Sequence, residues 1–229
     1  MTAVAVLADA HIGGPGGPAE PLVEQLEDLD PREISRLVVL GDVFQAWVGL
    51  PHFETSAVLR LVEVFAGLGR RGIPVEYIEG NRDFFIRGSR YERAFERVGL
   101  ESSFVAGGTR YLAVHGDGLD EGDVQYRWWR AVSKSGTSRF FMRHLPRPVS
   151  HRMLHGTERK LSGTNFKHKQ RIPEEAIRRY GQRRLAEGYD VLLLGHFHEP
   201  HRYPVAGGEI RLLEAWFRSH RIERFGEAQ

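Results

Sequence analysis

The stretch RLVVLGD, residues 36–42, is a short apolar run that ends on an acid. The same design recurs at AVAVLAD (3–9) and at IPVEYIEGN (73–81), and sequence with helical spacing separates the three runs. Short, continuous apolar runs between helices are typical of strands that are covered on both faces. The first hundred residues therefore predict a βαβαβα order with right-handed crossovers and a mainly parallel sheet.

Three segments in this half are predicted helices, because their apolar residues recur at helical spacing. The second of them is expected to stop at Gly72, which follows its last apolar turn. The segments are PLVEQLEDL (21–29), SAVLRLVEVFAGLGRRG (56–72) and RYERAFERVGL (90–100).

The second half of the chain predicts a different arrangement. TRYLAVHGD (109–117) and YDVLLLGHFH (189–198) are predicted buried strands, and IPEEAIRRYGQRRLAEG (172–188) is a predicted helix. Three short strands are expected to follow, at HRYPV (201–205), EIRLLEAW (209–216) and RSHRIERF (218–225). The sequence therefore predicts an α/β protein in which a mixed sheet, or two packed sheets, carries helices on the outside.

Between these two parts, residues 122–171 are predicted to be helical, with breaks at Gly136, Pro146 and Pro148. A helical stretch inserted between strands is expected to form a cap on the core. The expected domains are a core, residues 1–122 and 172–229, and an inserted cap, residues 123–171.

The cap carries a strong positive charge. Between Val124 and Arg171 there are twelve Lys or Arg residues and one acid, Glu158, so the net charge of this segment is +11. The whole chain has a net charge of only +2. Such polarisation favours an anionic partner, such as a phosphate, a nucleic acid or an acidic lipid surface, and the alternative is a solvated basic helical face.

Composition limits the class of protein and the available chemistry. With 229 residues, 41% hydrophobic and 27% charged, the chain is an ordinary globular protein rather than a disordered chain, a collagen or a coiled coil. It has no cysteine, which excludes disulfides, zinc–thiolate sites, iron–sulfur clusters and a cysteine nucleophile. Any metal must therefore be bound by nitrogen and oxygen, and the chain has 11 histidines.

The N-terminus, MTAVAVLADAH, lacks a positively charged segment and meets an acid at Asp9. These features are typical of a first strand rather than a signal peptide. No apolar run in the sequence approaches the roughly 18 to 20 residues that span a bilayer. We therefore expect a cytoplasmic protein.

Five polar blocks follow five of the predicted strands, each at the point where the strand ends. Ligands of open α/β sheets bind at the carboxyl ends of the strands, so these blocks are expected to meet in one site. Their donors are Asp, Asn and His, which favours Mn²⁺, Fe²⁺, Zn²⁺ or Ni²⁺. Each block alone is also typical of a helix cap, a turn or a buried histidine, whereas all five together favour a metal site. The blocks are Asp9-Ala10-His11, Gly41-Asp42, Gly80-Asn81-Arg82-Asp83, His115-Gly116-Asp117 and Gly195-His196-Phe197-His198.

This series of blocks resembles the calcineurin-like metallophosphoesterases, whose pattern is Asp-x-His, Gly-Asp, Gly-Asn, His and Gly-His-x-His. The resemblance covers nearly the whole chain and implies an αββα sandwich with two metals between two mixed β-sheets. It also implies a hydrolase in which a hydroxide bridging the two metals attacks phosphorus without a covalent enzyme intermediate. By this resemblance Asp42 would bridge the metals; the first would be bound by Asp9, His11, Asp42 and His198, and the second by Asp42, Asn81, His115 and His196.

Arg82 departs from the superfamily pattern, because most members have a histidine after Gly-Asn. Arginine cannot act as a general acid near pH 7, since its pKa lies far above that pH. It can still stabilise charge on a transferring phosphoryl group. Arg82 therefore favours a substrate with a good leaving group, such as a phosphate in a pyrophosphate bond.

The block Gly-Asn-Arg-Asp-Phe (80–84) also resembles the UDP-2,3-diacylglucosamine pyrophosphatases of lipid A biosynthesis. LGDVFQAW (40–47) and HGDGLDEGD (115–123), followed by Tyr126, are similar to further blocks of that family. The resemblance implies cleavage of UDP-2,3-diacylglucosamine to UMP and 2,3-diacylglucosamine 1-phosphate, with two divalent metal ions, expected to be Mn²⁺. It implies catalytic roles for Asp42, Asn81, Arg82 and His115, and substrate contacts from Asn81, Arg82, Asp123, Ser162, Asn165, Lys169 and His196.

The same resemblance implies that the cap holds the acyl chains of the substrate. Apolar side chains suit acyl chains, and Arg and Lys suit a diphosphate; the alternative is that the apolar residues pack the cap on the core. A lipid substrate also implies a peripheral visit to the inner face of the inner membrane, helped by anionic headgroups. The apolar cap residues are Trp128, Trp129, Phe140, Phe141, Met142, Met153 and Leu154.

Three other functions stay open from the sequence. The first is a phosphodiesterase or pyrophosphatase for another nucleotide-linked substrate. The second is a nuclease, which the basic cap motivates, although 229 residues leave little room for a DNA-binding domain. The third is a non-catalytic scaffold on the same fold, which the filled ligand positions disfavour. We expect neither a nucleic acid nor an obligate protein as a partner.

Overall fold

The computed structural model describes residues 2–120, 122–146, 148–149 and 172–226. Residues 2–120 form β1 (Ala3–Leu7), α1 (Glu20–Glu27), β2 (Ile34–Val39), β3 (Trp47–Val48), α2 (Ser56–Arg70), β4 (Val75–Ile78), β5 (Asp83–Phe84), β6 (Arg97–Gly99), β7 (Glu101–Ala106) and β8 (Thr109–Val114), with short 3₁₀ helices at Pro51–Phe53 and Glu92–Ala94. Two helices of the cap follow, α3 (Val124–Ser133) and α4 (Gly136–Arg143). The chain continues through α5 (Glu174–Leu185), β9 (Val191–Leu194), β10 (His201–Val205), β11 (Gly208–Leu212), α6 (Trp216–Ser219) and β12 (Glu223–Phe225).

All described strands except β3 and β5 form two mixed sheets of five strands each. The first has the order β12-β1-β2-β4-β6, in which β1, β2, β4 and β6 are parallel and β12 is antiparallel to β1. The second has the order β10-β11-β9-β8-β7, with parallel pairing of β11, β9 and β8 and antiparallel strands at both edges. The mainly parallel sheet predicted for the first half is therefore confirmed.

Three apolar layers separate these sheets and helices. α1 and α2 cover the outer face of the first sheet with residues such as Leu22 and Phe65. The inner faces of the two sheets meet through residues such as Leu40 and Leu193. α5 covers the second sheet, and Ile177 lies in that layer. The layer order is helix, sheet, sheet, helix, which confirms the expected αββα fold class.

The limits of α2 follow from its sequence. The side chain of Thr55 accepts a hydrogen bond from the Val58 N–H, which caps the amino end of the helix. At the other end Gly72 has a φ of +93°, a left-handed conformation that stops a helix and favours glycine. Within α2, Leu61 and Phe65 are buried four residues apart, so one face packs against the first sheet. The predicted helix over 56–72 is confirmed.

The helix predicted over residues 90–100 is wrong. This segment forms one 3₁₀ turn, Glu92–Ala94, and then the strand β6. β6 pairs in parallel with β4, with Val98 opposite Tyr77, and completes the edge of the first sheet. Pairing with a strand that lies about twenty residues earlier in the chain overrides the local helical spacing. The strand β7, which follows β6, was not predicted either.

A buried glutamate, Glu76, links strands of the two sheets through polar contacts. Glu76 on β4 accepts hydrogen bonds from Arg36 Nη1 (2.6 Å), Arg97 Nη2 (2.8 Å) and Ser102 Oγ (2.8 Å). Burial alone would raise the pKa of Glu76, but the hydrogen bonds from Ser102 and Arg97 hold it below its ordinary value. These contacts lie within the strands rather than at their ends, and they tie the sheets together.

The described part of the cap contains the two helices α3 and α4, between β8 and α5. The predicted break at Gly136 is confirmed, since α4 begins there and the Ser135 side chain accepts a hydrogen bond from the Ser138 N–H. The boundaries of the cap, residues 123–171, stay a prediction, because residues 150–171 lie outside the described residues. Every helix within the described ranges is too short or too polar to cross a lipid bilayer.

Candidate metal centre

The five polar blocks lie at the carboxyl ends of parallel strands from both sheets. Asp9 and His11 follow β1, Asp42 follows β2, and Asn81 follows β4 in the first sheet. In the second sheet, His115 follows β8, and His196 and His198 follow β9. Because the two sheets face each other, these loops meet at one end of the sandwich, as the sequence predicted.

Five of these side chains come from residues with a left-handed backbone. The φ angles are 50° at Asp9, 48° at His11, 52° at Asp42, 67° at His196 and 66° at His198. For a residue with a Cβ atom this conformation costs about 1–2 kcal/mol. Such backbone strain is concentrated at functional sites, where the surrounding fold enforces it.

The first group of ligand atoms is formed by Asp9, His11 and His198. The Nε2 atoms of His11 and His198 are 3.0 Å apart. Asp9 Oδ1 lies 3.3 Å from His198 Nε2 and 3.8 Å from His11 Nε2. All three residues are buried, and their ligand atoms all lie within 4.8 Å of one another, which is close enough for them to bind one ion.

The second group is centred on the amide oxygen of Asn81. Asn81 Oδ1 lies 3.1 Å from His115 Nε2 and 2.9 Å from His196 Nδ1. His115 Nδ1 donates to the carbonyl oxygen of Leu40 at 2.6 Å, which leaves Nε2 as the ring nitrogen that faces Asn81 Oδ1. One amide oxygen and two ring nitrogens at these distances could be neighbouring ligands of one cation, and a backbone acceptor behind the ring is typical of a metal-binding histidine.

The two aspartates each use one oxygen for a backbone N–H and turn the other into the site. Asp9 Oδ2 accepts from His196 N at 2.7 Å, and Asp42 Oδ1 accepts from Arg82 N at 2.9 Å. Within the described ranges, Asp9 Oδ1 and Asp42 Oδ2 are buried and have no hydrogen bond of good geometry. Buried polar atoms are normally satisfied, so these oxygens, with the histidines, fit divalent cations bound by oxygen and nitrogen.

Electrostatics keep the Asp9 carboxylate in its charged form. Burial raises the pKa of the Asp9 carboxyl, but the attraction of the neighbouring histidines, His198 first, outweighs burial and holds that pKa well below its ordinary value. Asp9 therefore stays ionised although it is fully buried. Asp9, Asp42 and His115 also bring their ligand atoms within 4.8 Å of one another, which joins the two groups.

Asp83 holds two of the blocks together, a role that the sequence analysis missed. Its Oδ2 accepts from the backbone N–H of Asp42 (3.0 Å) and of Gly80 (2.8 Å). Burial, and then the charge of Asp42, raise the pKa of Asp83 to about 7. The only signal in the sequence is its place three residues after Gly80, where an aspartate commonly closes a turn on the backbone.

Arg82 lies beside Asp42 in the interior rather than on an open surface. Its Nε is 3.4 Å from Asp42 Oδ2, and its Nη1 donates to the carbonyl oxygen of Gln45 at 3.2 Å. Burial lowers the pKa of Arg82, although Asp42 acts in the opposite direction. The guanidinium is thus fixed next to the oxygen that Asp42 turns into the site, and its action on a phosphoryl group stays a prediction.

Replacing Arg82 with alanine is expected to lower the rate of the chemical step by about 10²-fold to 10³-fold, the usual cost of removing one charge-stabilising donor. Metal content should not change, because Asp42 Oδ1 is held by the Arg82 backbone N–H, which survives the substitution. Single-turnover kinetics and metal analysis measure both quantities. Arg36→Ala, which removes an arginine that also pairs with a buried carboxylate, is the matched control. Loss of metal from Arg82→Ala would contradict this assignment.

The cap contacts the loops of the site through α3. Asp117 Oδ2 accepts from Tyr126 Oη at 2.6 Å and from Arg130 Nε at 2.7 Å, and Lys134 Nζ donates to the carbonyl oxygen of Gly80 at 2.6 Å. Burial raises the pKa of Asp117, but attraction by His115 and Arg130 outweighs it and holds the pKa well below its ordinary value. Asp117 and Tyr126 both belong to blocks recognised in the sequence, but their contact was not predicted.

The predicted substrate contacts in the cap have different outcomes. Asp123 is exposed and caps α3, since its side chain accepts from Tyr126 N at 2.8 Å. Its contact with substrate stays a prediction. Ser162, Asn165 and Lys169 lie outside the described residues, as do Met153 and Leu154. Trp128, Phe140 and Phe141 are exposed rather than packed on the core, which contradicts the packing alternative for these three.

Two curated proteins that share one name are similar to this chain over most of its length. UDP-2,3-diacylglucosamine hydrolase of Pseudomonas fluorescens is 32% identical over 74% of this chain and 68% of its own. The protein of that name from Ralstonia nicotianae is 29% identical over 93% of this chain and 84% of its own. Among solved structures, phosphopantetheinyl hydrolase from Mycobacterium tuberculosis aligns with 99% of this chain and 96% of its own at 14% identity and a TM-score of 0.49.

The family comparison agrees with the order of the five polar blocks. The model of the calcineurin-like phosphoesterases matches residues 2–200, which include every block and the cap. The family resemblance inferred from the motifs is thereby confirmed, and so is the prediction of a hydrolase. The chain therefore belongs to the calcineurin-like phosphoesterase family.

Proposed function

We propose that this protein is a metal-dependent hydrolase that cleaves the pyrophosphate bond of UDP-2,3-diacylglucosamine to UMP and 2,3-diacylglucosamine 1-phosphate. The observation that supports the chemistry is the pair of buried aspartate oxygens, Asp9 Oδ1 and Asp42 Oδ2. Both oxygens lie close to histidine side chains at the ends of the strands. The substrate is supported by the similarity to the two hydrolases of that name.

The ligand set that we propose follows the two groups of atoms. Asp9, His11 and His198 would hold one ion, Asn81, His115 and His196 the other, and Asp42 would belong to both. Two divalent ions are the proposed cofactors, since the donors are oxygen and imidazole nitrogen. Mn²⁺ is the ion that the family resemblance implies. Bound there, divalent cations supply an activated water nucleophile and neutralise charge on the phosphoryl oxygens.

The protein's own residues would position the diphosphate and stabilise its charge. Arg82 presents a fixed positive charge beside Asp42 and cannot give up a proton near pH 7, which suits a leaving group that needs none. Asn81 and His196, which are partly exposed, are proposed to contact the substrate as well as the metal. Asp83 holds the loops of Asp42 and Gly80 together by accepting a hydrogen bond from each backbone N–H, and it is a positioning residue.

We further propose that the cap contacts the cytoplasmic face of a membrane during catalysis. Trp128, Phe140 and Phe141 are 66%, 61% and 67% exposed on α3 and α4. The segment 124–149 contains no acidic residue. Exposed aromatic rings among cations are typical of surfaces that bind the interface of anionic lipids.

Turnover of UDP-2,3-diacylglucosamine with added Mn²⁺ tests the proposed function. The comparison substrates are UDP-glucosamine without acyl chains and a generic aryl phosphodiester. Release of UMP from the acylated substrate alone would support the proposal. Cleavage of only the generic diester would contradict the substrate and favour another nucleotide-linked compound. Metal analysis of the purified protein should give about two ions per chain, and a metal-free, inactive protein would instead favour a scaffold.

Replacing Trp128 with alanine is expected to raise the KM for the acylated substrate about tenfold, because an exposed aromatic ring that an acyl chain covers on binding contributes about 1–2 kcal/mol. The effect on a short-chain analogue should be much smaller. Val105→Ala, at a 65% exposed apolar residue on β7, is the control that should change neither value. Equal effects of Trp128→Ala on both substrates would contradict a role in holding acyl chains.

A further inference from the structure

α3 is fastened to two of the loops that carry the candidate metal centre. Near the middle of the helix, Arg130 contacts Asp117, which lies two residues after His115. Just beyond its carboxyl end, Lys134 Nζ donates to the carbonyl oxygen of Gly80 at 2.6 Å, directly before Asn81 in the chain. The cap and the proposed ligands of one metal are therefore linked through short polar contacts.

The Gly80 carbonyl is part of the peptide bond that leads into Asn81. Within the turn 80–83, the Asp83 N–H donates a long hydrogen bond of 3.4 Å to this oxygen. Lys134 Nζ approaches the same oxygen to 2.6 Å. Hydrogen bonds from an ionised donor are shorter and about twice as strong as neutral ones. Lys134 is therefore the stronger partner of this carbonyl.

The same short segment is held from its other side. Gly80 N–H donates to Asp83 Oδ2 at 2.8 Å, so the residue before Asn81 is fixed through both its N–H and its carbonyl. The direction of that peptide plane sets where the Asn81 side chain begins. Asn81 Oδ1 in turn faces His115 Nε2 and His196 Nδ1.

Lys134 is held in place by its own surroundings. Its Nζ lies 5.7 Å from the centre of the Phe84 ring, within the range of a cation–π contact. Burial, and then the charge of Arg130, lower the pKa of Lys134, while Asp83 acts in the opposite direction. A largely enclosed ammonium group of this kind keeps a fixed geometry, unlike a lysine on an open surface.

We propose that Lys134 is a positioning residue for Asn81: its ammonium group holds the Gly80 carbonyl and thereby aims the Asn81 amide oxygen at the metal that His115 and His196 face. This inference rests on the metal ligands of the proposed function. It also means that a movement of α3, whose outer side carries Trp128, is transmitted to a metal ligand. Partners of ligands commonly change metal affinity or activity by about 10-fold to 100-fold.

The test is Mn²⁺ binding to the full chain by titration calorimetry without any substrate. Lys134→Met keeps most of the side-chain volume and removes the charge, and we expect the dissociation constant of the ion whose ligands include Asn81 to rise about tenfold or more. Lys134→Arg, which restores a charged donor, should recover most of the affinity. The melting temperature of the metal-free protein separates this effect from a loss of stability.

Arg139→Met is the matched control, because Arg139 Nη2 also joins the cap to the core by donating to a backbone carbonyl, that of Gly88, at 2.8 Å. It should leave Mn²⁺ affinity unchanged. Wild-type affinity in Lys134→Met, or an equal loss in Arg139→Met, would overturn the positioning role. If Lys134→Met does not fold, Lys134→Gln measures the same quantity. A wild-type chain that binds no Mn²⁺ would overturn the proposed function as well.

Discussion

Replacing Asp42 with alanine is expected to remove the bound metal and to lower turnover by about 10⁴-fold, which corresponds to about 5 kcal/mol of transition-state stabilisation. Asp42 is fully buried, and its Oδ2 lies 3.7 Å from His115 Nε2 and 3.4 Å from Arg82 Nε. Because this oxygen belongs to both proposed ligand sets, its loss weakens both ions together. Metal analysis and steady-state turnover on the same preparation check the prediction.

A matched control separates loss of the metal from loss of the fold. Glu76→Gln changes another buried carboxylate that is paired with arginines, but this one lies within β4 and not at its end. It should lower the free energy of unfolding and leave metal content near that of the wild type. A milder variant, Asp42→Asn, keeps an oxygen that can accept from the Arg82 N–H. Substantial turnover in Asp42→Ala would contradict the two-metal assignment.

Gly80→Ala is expected to lower turnover by about 10²-fold or more, since a displacement of about 1 Å at a reacting centre has an effect of this size. A Cβ atom at Gly80 would overlap Asp42 Oδ1 and would lie 2.8 Å from His115 Cε1. Real Cβ atoms do not approach other atoms so closely, so Asp42 or His115 must move. Both are proposed metal ligands, and metal content should fall together with turnover.

The control for this prediction is a glycine that has room for a methyl group. Gly69 lies in α2, and a Cβ atom there would meet no atom within 4 Å among the described residues. Gly69→Ala should therefore raise the free energy of unfolding by up to about 1 kcal/mol, because alanine favours a helix over glycine. It should not change turnover. Normal turnover and metal content in Gly80→Ala would show that the ligands do not need this close approach.

Most of the core could be predicted because its signals are local. The helix over 56–72 shows apolar residues at helical spacing, and the strand β2 contains a continuous apolar run that is too short for a helix. The error at 90–100 has the opposite cause. Val98 lies in a strand because β4, with Tyr77 opposite Val98, provides an edge for pairing. The residues next to Val98 in the chain do not indicate this pairing.

The candidate site was predictable to the extent that it depends on strand ends. Asp42 and His115 are the first polar side chains after apolar runs, and parallel strands deliver them to one edge. The contacts around them were not predictable. Lys134 meets the Gly80 carbonyl across more than fifty residues, and neither residue type indicates the other in sequence.

The sequence by itself therefore determined the fold class, the family, and which side chains converge at the ends of the strands. These features depend on the spacing of apolar residues and on the residues that end each strand, and both are local properties of the chain. The tertiary structure alone decided how those side chains face one another. It placed Asp9 Oδ1 and Asp42 Oδ2 in the interior without good hydrogen bonds among the described residues, and it brought Lys134 to Gly80. These relations depend on the packing of two sheets and a cap, so each is set by residues far apart in the chain.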